Sequence, residues 1–472
     1  MTHSWWGAAL APVTWGVIAG LTTPRGPLTP TEALISVGVS FVVGGVAGRW
    51  SRSRWAMLVA PALFVIAVEV VRTGAVGPTV DAPHASMLGA VALAAGRGVH
   101  GLLTVLPMVV AASYAAAYGA GPARRGRLGR YLGRAAIGAL AAVVVLVTGA
   151  VALPARTDPM PGDRSIAELA SVDAGSHQLG LMIRGADTTG PVLLFVPGAP
   201  GAAERGAVRA HLSGLEQHVV VATLDRRGGG SSYPAIEPTP TMTLDDEIDN
   251  VVAATHHLRQ RFDTDRFYLL AHSGGSIPAA FAVQRHPELF SAYIGVGQAV
   301  DTTEADQAQY AATLDWARHH DTDLAAALTA VGPPPYARIY DYEPLILAES
   351  RVFPHAGGQG GLDESLAASE YTVLDKVHLF AGLVDAHDVY YPRIRDVDLR
   401  TDIPRIEVPV YFVDGVDEVP GRVPPMRQWF AGLQAPHKEH VLISSSGHRS
   451  LYERPAEFTD ILVRRVLGGP AT

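Results

Sequence analysis

The chain has 472 residues, 48% hydrophobic and 17% charged, with no cysteine. This composition excludes a disordered, collagenous or coiled-coil chain. The missing thiols exclude a disulfide framework, a cysteine-ligated metal or iron–sulfur site and a thiol nucleophile. The formal charge of −8 is unevenly spread: residues 1–153 carry eleven Arg against three acids (Glu32, Glu69, Asp81), a net +8, and the rest of the chain carries −16. The acidic second part argues against nucleic acid as a partner.

The N-terminal third reads as membrane. A bilayer core of about 30 Å needs roughly 17–25 apolar helical residues. Five stretches qualify: Trp5–Leu21, Ala33–Gly48, Trp55–Val71, Gly98–Tyr118 and Ala135–Leu153, the second of marginal length. The short run Ser86–Ala95 either extends the fourth span or lies at the interface. Trp5, Trp6, Trp50 and Trp55 fall at span ends, where indoles are favoured. Basic residues cluster after the second span (Arg49, Arg52, Arg54) and after the fourth (Arg124, Arg125, Arg127, Arg130, Arg134). Alternate crossing puts both clusters on one side, which the positive-inside rule makes cytoplasmic, so everything after Leu153 is expected outside the cell membrane. No basic segment precedes the first apolar run, so we expect an anchor in the lipid bilayer rather than a cleaved leader. Glu69 and Arg97 are the ionisable residues nearest membrane depth, and Glu69 is expected to snorkel.

A Pro-rich linker at 154–164 leads into alternating strand-like and helix-like segments over 165–472. Strands are expected near Gln178–Ile183, Val192–Pro197, Val219–Leu224, Phe267–Ala271, Ala292–Val296, Val408–Val413 and Val441–Ile443. Several are continuous apolar runs, as befits strands covered on both faces. Thr243-Leu-Asp-Asp246 reads as a capping box ahead of a helix. Such alternation implies an α/β domain with a mostly parallel, right-handed sheet. Residues 301–395 break it. They are helix-rich, with Pro333–Pro335 and a Gly-rich turn at 357–361, and read as a helical cap inserted between two strands.

The chemistry gathers at strand ends. Leu270-Ala271-His272-Ser273-Gly274-Gly275 follows an apolar strand and precedes a helix, fitting the nucleophile elbow G-x-S-x-G with Ala at the first position. Small residues there permit a tight turn that lifts the Ser273 hydroxyl out of the sheet. Pro197-Gly-Ala-Pro-Gly201 follows another strand, and the backbone N–H groups of Ala199 and Gly274 can form an oxyanion hole. Ser446-Gly447-His448 lies near the C-terminus; nucleophile first and His last is the chain order of an α/β-hydrolase triad. The orienting acid is Asp417 or Glu418, both in the loop after Val408–Val413, with a slight preference for Asp417; Asp414 still belongs to the strand. No phosphate loop, dinucleotide fingerprint or His-Glu-x-x-His is present, so no metal or cofactor is expected.

Residues 165–467 resemble α/β hydrolases of the prolyl aminopeptidase (proline iminopeptidase) type, particularly membrane-attached members. The family's H-G-G-P-G loop is similar to Pro197–Gly201, its D-Q-R-G-x-G-x-S segment to Asp225–Ser232, and its G-x-S-W-G elbow to Ala271–Gly275. Departures stand at the site: Pro197 for His, Ala199 for Gly, Arg226 for Gln and Gly274 for Trp. The family's acid falls three residues after a Gly, which from Gly415 gives Glu418; Asp417 would need a one-residue shift. The family binds the substrate's free amine with cap acids, and Glu343 and Glu349 are the equivalents the resemblance implies. The expected protein is therefore a membrane-anchored serine hydrolase acting on small peptides or amino-acid amides. An ester hydrolase of carboxylesterase or lipase type, and a non-catalytic binding or sensing module on the same fold, are the alternatives.

Overall fold

The computed structural model describes residues 5–72, 74–119, 127–356 and 362–468. The basic pair Arg124–Arg125 and the turn at 357–361 lie outside the described residues. The chain divides into two compact units. One is Met1–Ala85, Gly89–Pro154 and Thr372–Leu374; the other is Ser86–Leu88, Ala155–Tyr371 and Asp375–Thr472.

The first unit is helical. Three helices are long and apolar enough to cross a membrane: Pro30–Ser51, Met87–Ala117 and Tyr131–Ala152. Two more, Trp6–Thr22 and Ala56–Val71, are apolar but shorter. The second expected span is thus not the marginal one. Thr29 caps its helix and Glu32 reaches back to the Thr29 N–H, a complete capping box with Pro30 in the first turn. The helix therefore starts before the apolar run and continues through Arg49 and Trp50. The run at 86–95 extends the fourth span, through a short π-helical stretch at Ala94–Gly98. Helices Pro30–Ser51 and Val99–Gly119 touch backbone to backbone. A Cβ on Gly44 would lie 2.2 Å from the Met108 carbonyl oxygen, and one on Gly48 2.4 Å from that of Ala112. Small residues permit such close approach of two helix backbones. Glu69 does not snorkel alone: its carboxylate takes Arg97 Nε at 3.1 Å and also pairs with Arg72. Arg25, after the first helix, donates to Val76 O (2.6 Å) and Thr79 Oγ1 (3.2 Å), after the third, so these two loops share one end of the bundle.

The second unit is built on an eight-stranded sheet: β1 Ile166–Asp173, β2 Gln178–Gly185, β3 Val192–Val196, β4 Val220–Leu224, β5 Phe267–His272, β6 Phe290–Val296, β7 Val410–Gly415 and β8 Lys438–Ile443. Their spatial order is β1-β2-β4-β3-β5-β6-β7-β8. β1–β2 and β2–β4 pair antiparallel and every later pair is parallel, so the expectation of a mostly parallel sheet holds. β3 and β4 are buried at every position, because helices cover both faces. Phe195, Leu193, Ile294, Tyr411 and Val413 anchor one side of the core. The Thr243 cap forms, but only in half: Thr243 accepts the Asp246 N–H, while the Asp246 carboxylate turns to Arg227 at 2.8 Å.

Between β6 and β7 the chain leaves the sheet for a helical insertion, Thr302–His320, Thr322–Val331, Ile339–Val352, Leu362–Ala367 and Val373–Tyr390. It carries its own small core, including Ala317, Leu328, Tyr336, Tyr342 and Ala348. Parallel strands joined by right-handed crossovers leave their C-terminal ends on one edge, and loops from β3, β5 and β7 converge there.

Candidate active site

Ser273 sits where β5 gives way to the turn Ser273–Gly275 and the helix Ser276–Arg285. Its φ is +51°, a left-handed conformation that costs a non-glycine residue of order 1–3 kcal/mol and persists only where surroundings enforce it. The enforcement is visible. Ser276 Oγ donates to the Ser273 carbonyl and accepts from Gln298 Nε2 (2.9 Å) and the Ala299 N–H (3.0 Å). Gly275 packs against the chain leaving β3 so closely that a Cβ would stand 2.1 Å from Pro197 O.

His448 Nε2 lies 2.9 Å from Ser273 Oγ. Its other nitrogen, Nδ1, faces Glu418, with Oε1 at 2.9 Å and Oε2 at 3.0 Å. The His448 N–H donates to Ala356 O at 2.6 Å, which ties the histidine loop to the cap just beyond the helix Ile339–Val352. Glu418 is buried and also accepts the Val419 N–H at 2.7 Å. Burial pushes its carboxyl up, but the His448 imidazole, Arg422 and the Val419 N–H together hold it below its ordinary range.

The acid nearest the imidazole is thus Glu418, which corrects the slight preference for Asp417. Asp417 is exposed, and only its backbone joins the region, donating to Ser446 O at 3.0 Å. β7 ends at Gly415, so three residues of turn are needed before a side chain can swing back beneath His448. Asp414 is indeed still in the strand, where it accepts the Gly297 N–H and faces His440 Nε2 at 3.0 Å.

The loop after β3 is held from two sides. The Gly198 N–H donates to Glu204 Oε1 at 3.2 Å, while Arg226 Nη1 donates to the carbonyls of Gly198 (2.5 Å) and Ala199 (3.1 Å). The Ala199 N–H has no acceptor among the described residues. Gly274 stands beside it: its Cβ position lies 3.4 Å from Gly198 O and 3.8 Å from Ala199 Cα. Gly274 opens a helix, where backbone N–H groups lack intrahelical partners. Arg226 is itself buried against Glu247 at 2.7 Å.

A pocket beside Gly274 is lined by Gln298, Asp306, Gln309, Tyr391, Val419 and Arg422 among others. Two acids line it, neither singled out from the sequence: Asp301, which pairs with Arg400 at 3.0 Å, and Asp306. Asp306 accepts the hydroxyls of Tyr342 (2.9 Å) and Tyr391 (3.0 Å), and burial raises its carboxyl to about 6 against those bonds. The two glutamates singled out by resemblance are placed otherwise. Glu349 reaches the pocket only through Gln309, whose Nε2 donates to it at 3.3 Å. Glu343 accepts the N–H groups of Met87 and Leu88, residues of the same compact unit, and is occupied by them. Among the described residues no three His, Asp or Glu side chains converge as a metal-binding group.

Sheet order, elbow, cap insertion and the Ser–His–acid geometry together define an α/β hydrolase. The chain belongs to that family: the model of the alpha/beta hydrolase fold matches residues 191–455. Among curated proteins it is similar to the probable aminopeptidase YbaC of Bacillus subtilis (strain 168), 28% identical over 313 residues that cover 65% of this chain and 98% of the relative. Among solved structures it is similar to the proline iminopeptidase-related protein of Thermus thermophilus, with a TM-score of 0.45 and 17% identity over 63% of this chain and 96% of that one. It is also similar to the carboxylesterase CesB of Bacillus subtilis, with a TM-score of 0.43 and 15% identity over 64% and 93%. The protein is an α/β hydrolase that resembles the prolyl aminopeptidases.

Proposed function

We propose that this protein is a membrane-anchored serine hydrolase whose catalytic domain faces outward and cleaves small peptides or amino-acid amides. The observation that carries the reading is the 2.9 Å contact between Ser273 Oγ and His448 Nε2, with Glu418 on the opposite nitrogen. Nδ1–H donates to the carboxylate, which leaves Nε2 as the acceptor that takes the serine proton. Ser273 attacks the carbonyl carbon. The tetrahedral oxyanion is received by the Ala199 and Gly274 N–H groups, each such donor worth about 2.7–4 kcal/mol. His448 returns the proton to the leaving amine, and water then hydrolyses the acyl-enzyme by the same base.

The amide substrate class is supported by the 28% identity to a probable aminopeptidase and by a pocket acid, Asp306, that can pair with a substrate's free amine. Anchoring is supported by three helices of spanning length and apolarity. Sidedness is supported by the basic residues after the second and fourth helices, and by the Arg25 contacts that join the first and third loops at the opposite end.

Intact cells treated with an impermeant fluorophosphonate test nucleophile and sidedness together. The expected result is labelling of the wild type from outside and none of Ser273→Ala. Labelling only after lysis contradicts the topology. Amino-acid amides run beside short-chain acyl esters test the substrate class, and faster ester turnover would favour the esterase.

A further inference from the structure

Behind the nucleophile lies a second carboxylate–imidazole pair that the reaction itself does not use. Glu204 follows the Pro197–Gly201 loop by three residues and caps no helix with its side chain. One of its oxygens, Oε1, accepts the Gly198 N–H at 3.2 Å and lies 3.7 Å from His272 Nδ1. The other, Oε2, accepts the Tyr452 hydroxyl at 2.6 Å. His272 is buried, is the residue before Ser273, and turns its Nε2 to the His448 carbonyl at 3.1 Å.

One carboxylate therefore joins three separate parts of the site: the oxyanion loop through Gly198, the nucleophile elbow through His272, and the histidine loop through Tyr452. The proton inventory sharpens the picture. A carbonyl only accepts, so His272 Nε2 carries a hydrogen; Nδ1 then faces a carboxylate and has no other partner among the described residues. Burial pushes the Glu204 carboxyl up, but His272, the Tyr452 hydroxyl and Arg449 more than offset it, down to about 2. The other charged or titratable neighbours are set further back. Arg449 lies over the Tyr452 ring at 4.7 Å, and Glu364 is 4.0 Å from Arg449 and 2.8 Å from His211. The His448 ring is 5.1 Å from that of His272.

We infer that Glu204 and His272 are positioning residues: the carboxylate fixes the Pro197–Gly198 peptide, from which the next peptide and its Ala199 N–H are aimed at the oxyanion, and the imidazole fixes the elbow and the His448 backbone around it. Gly198 is held by Glu204 on its N–H and by Arg226 on its carbonyl, so the two successive peptides on either side of its Cα are each pinned while both hold. Neither residue touches substrate, so their loss should act on turnover and not on binding. The inference rests on the proposed serine mechanism and adds a requirement to it.

Glu204→Gln keeps an acceptor for Gly198 but removes the charge; Glu204→Ala removes both; His272→Asn removes the imidazole. With an aminoacyl anilide and with a fluorophosphonate, kcat and the labelling rate are expected to fall about tenfold in Glu204→Gln and about a hundredfold in Glu204→Ala, with KM within about threefold, since an oxyanion donor is worth 10²–10³ in kcat. The split itself, kcat lowered while KM holds, is a signature that a purely structural role would not give. Wild-type kcat in folded Glu204→Gln and His272→Asn, with Ser273→Ala inactive, would overturn the inference and leave the serine mechanism standing. An active Ser273→Ala would instead overturn the mechanism on which it rests.

Discussion

Replacing Glu418 by Gln tests the assignment of the acid at one atom. In the native arrangement Glu418 Oε1 accepts the Val419 N–H at 2.7 Å and lies 2.9 Å from His448 Nδ1, while Oε2 lies 3.0 Å from the same nitrogen. The Val419 N–H demands an oxygen at the Oε1 position, so in Glu418→Gln the amide nitrogen falls at Oε2, a donor aimed at Nδ1. His448 is then driven to the tautomer with hydrogen on Nε2, which cannot accept the Ser273 proton. The site also loses the buried anion that would stabilise the imidazolium. The equivalent change in a serine triad lowers kcat by about 10⁴, or roughly 5 kcal/mol of barrier. Glu418 and Gln are nearly isosteric, so stability should change far less than activity. The assay is kcat on a fluorogenic aminoacyl amide beside Asp417→Asn, which should stay within about twofold of wild type because Asp417 is exposed. Comparable losses in the two variants, or more than a tenth of wild-type kcat in Glu418→Gln, would refute the reasoning.

Gly275→Ala should fail to fold or lose activity outright, since its Cβ would come within 2.1 Å of backbone oxygen; Gly274→Ala, at 3.4 Å from its nearest neighbour, should fold and unfold like wild type in urea. Arg226→Gln strips the partner from the buried Glu247 and should cost about 3–5 kcal/mol in denaturant unfolding. Adding Glu247→Gln should recover much of that loss while kcat stays low, because the Gly198 and Ala199 carbonyls still lack their donor. Asp306 gives a pH test with a definite sign. Its folded carboxyl is raised to about 6 from 3.8, so between pH ~4 and ~6 the unfolded chain releases a proton that the folded chain keeps. Stability falls across that window and levels off above it, by about 3 kcal/mol in total. Asp306→Asn should abolish the fall, and should also abolish the decrease of KM for amine-bearing substrates as pH rises through about 6.

Much of this was legible in the sequence because sheet interior and site turns each leave a local signal. β3 is an unbroken apolar run, and β4 and β5 are nearly so, broken only by Thr223 and by the terminal His272, since helices bury both of their faces. Ser273 announces itself by small neighbours after such a run. β1 was missed because it is an antiparallel edge strand, half-exposed along most of its length, and Ile166–Asp173 mixes charge with small residues. The choice between Asp417 and Glu418 was not legible, as adjacent residues in a turn differ by a direction that only the end of β7 fixes. Asp306 and Arg226 act through partners 85 and 21 residues away, and Glu204 joins Gly198 to Tyr452, 248 residues from it; no spacing records such contacts. The length of the second apolar helix was hidden for a different reason: its start is set by the polar cap Thr29–Glu32, outside the apolar stretch.

The most direct test of the whole account is to locate the adduct. Purified protein is treated with a fluorophosphonate, digested, and the modified residue read by tandem mass spectrometry. The account predicts one phosphonyl group on Ser273, absent in His448→Ala as well as in Ser273→Ala. A label carried by another serine, or an unlabelled wild-type protein that still hydrolyses an amide, would contradict it.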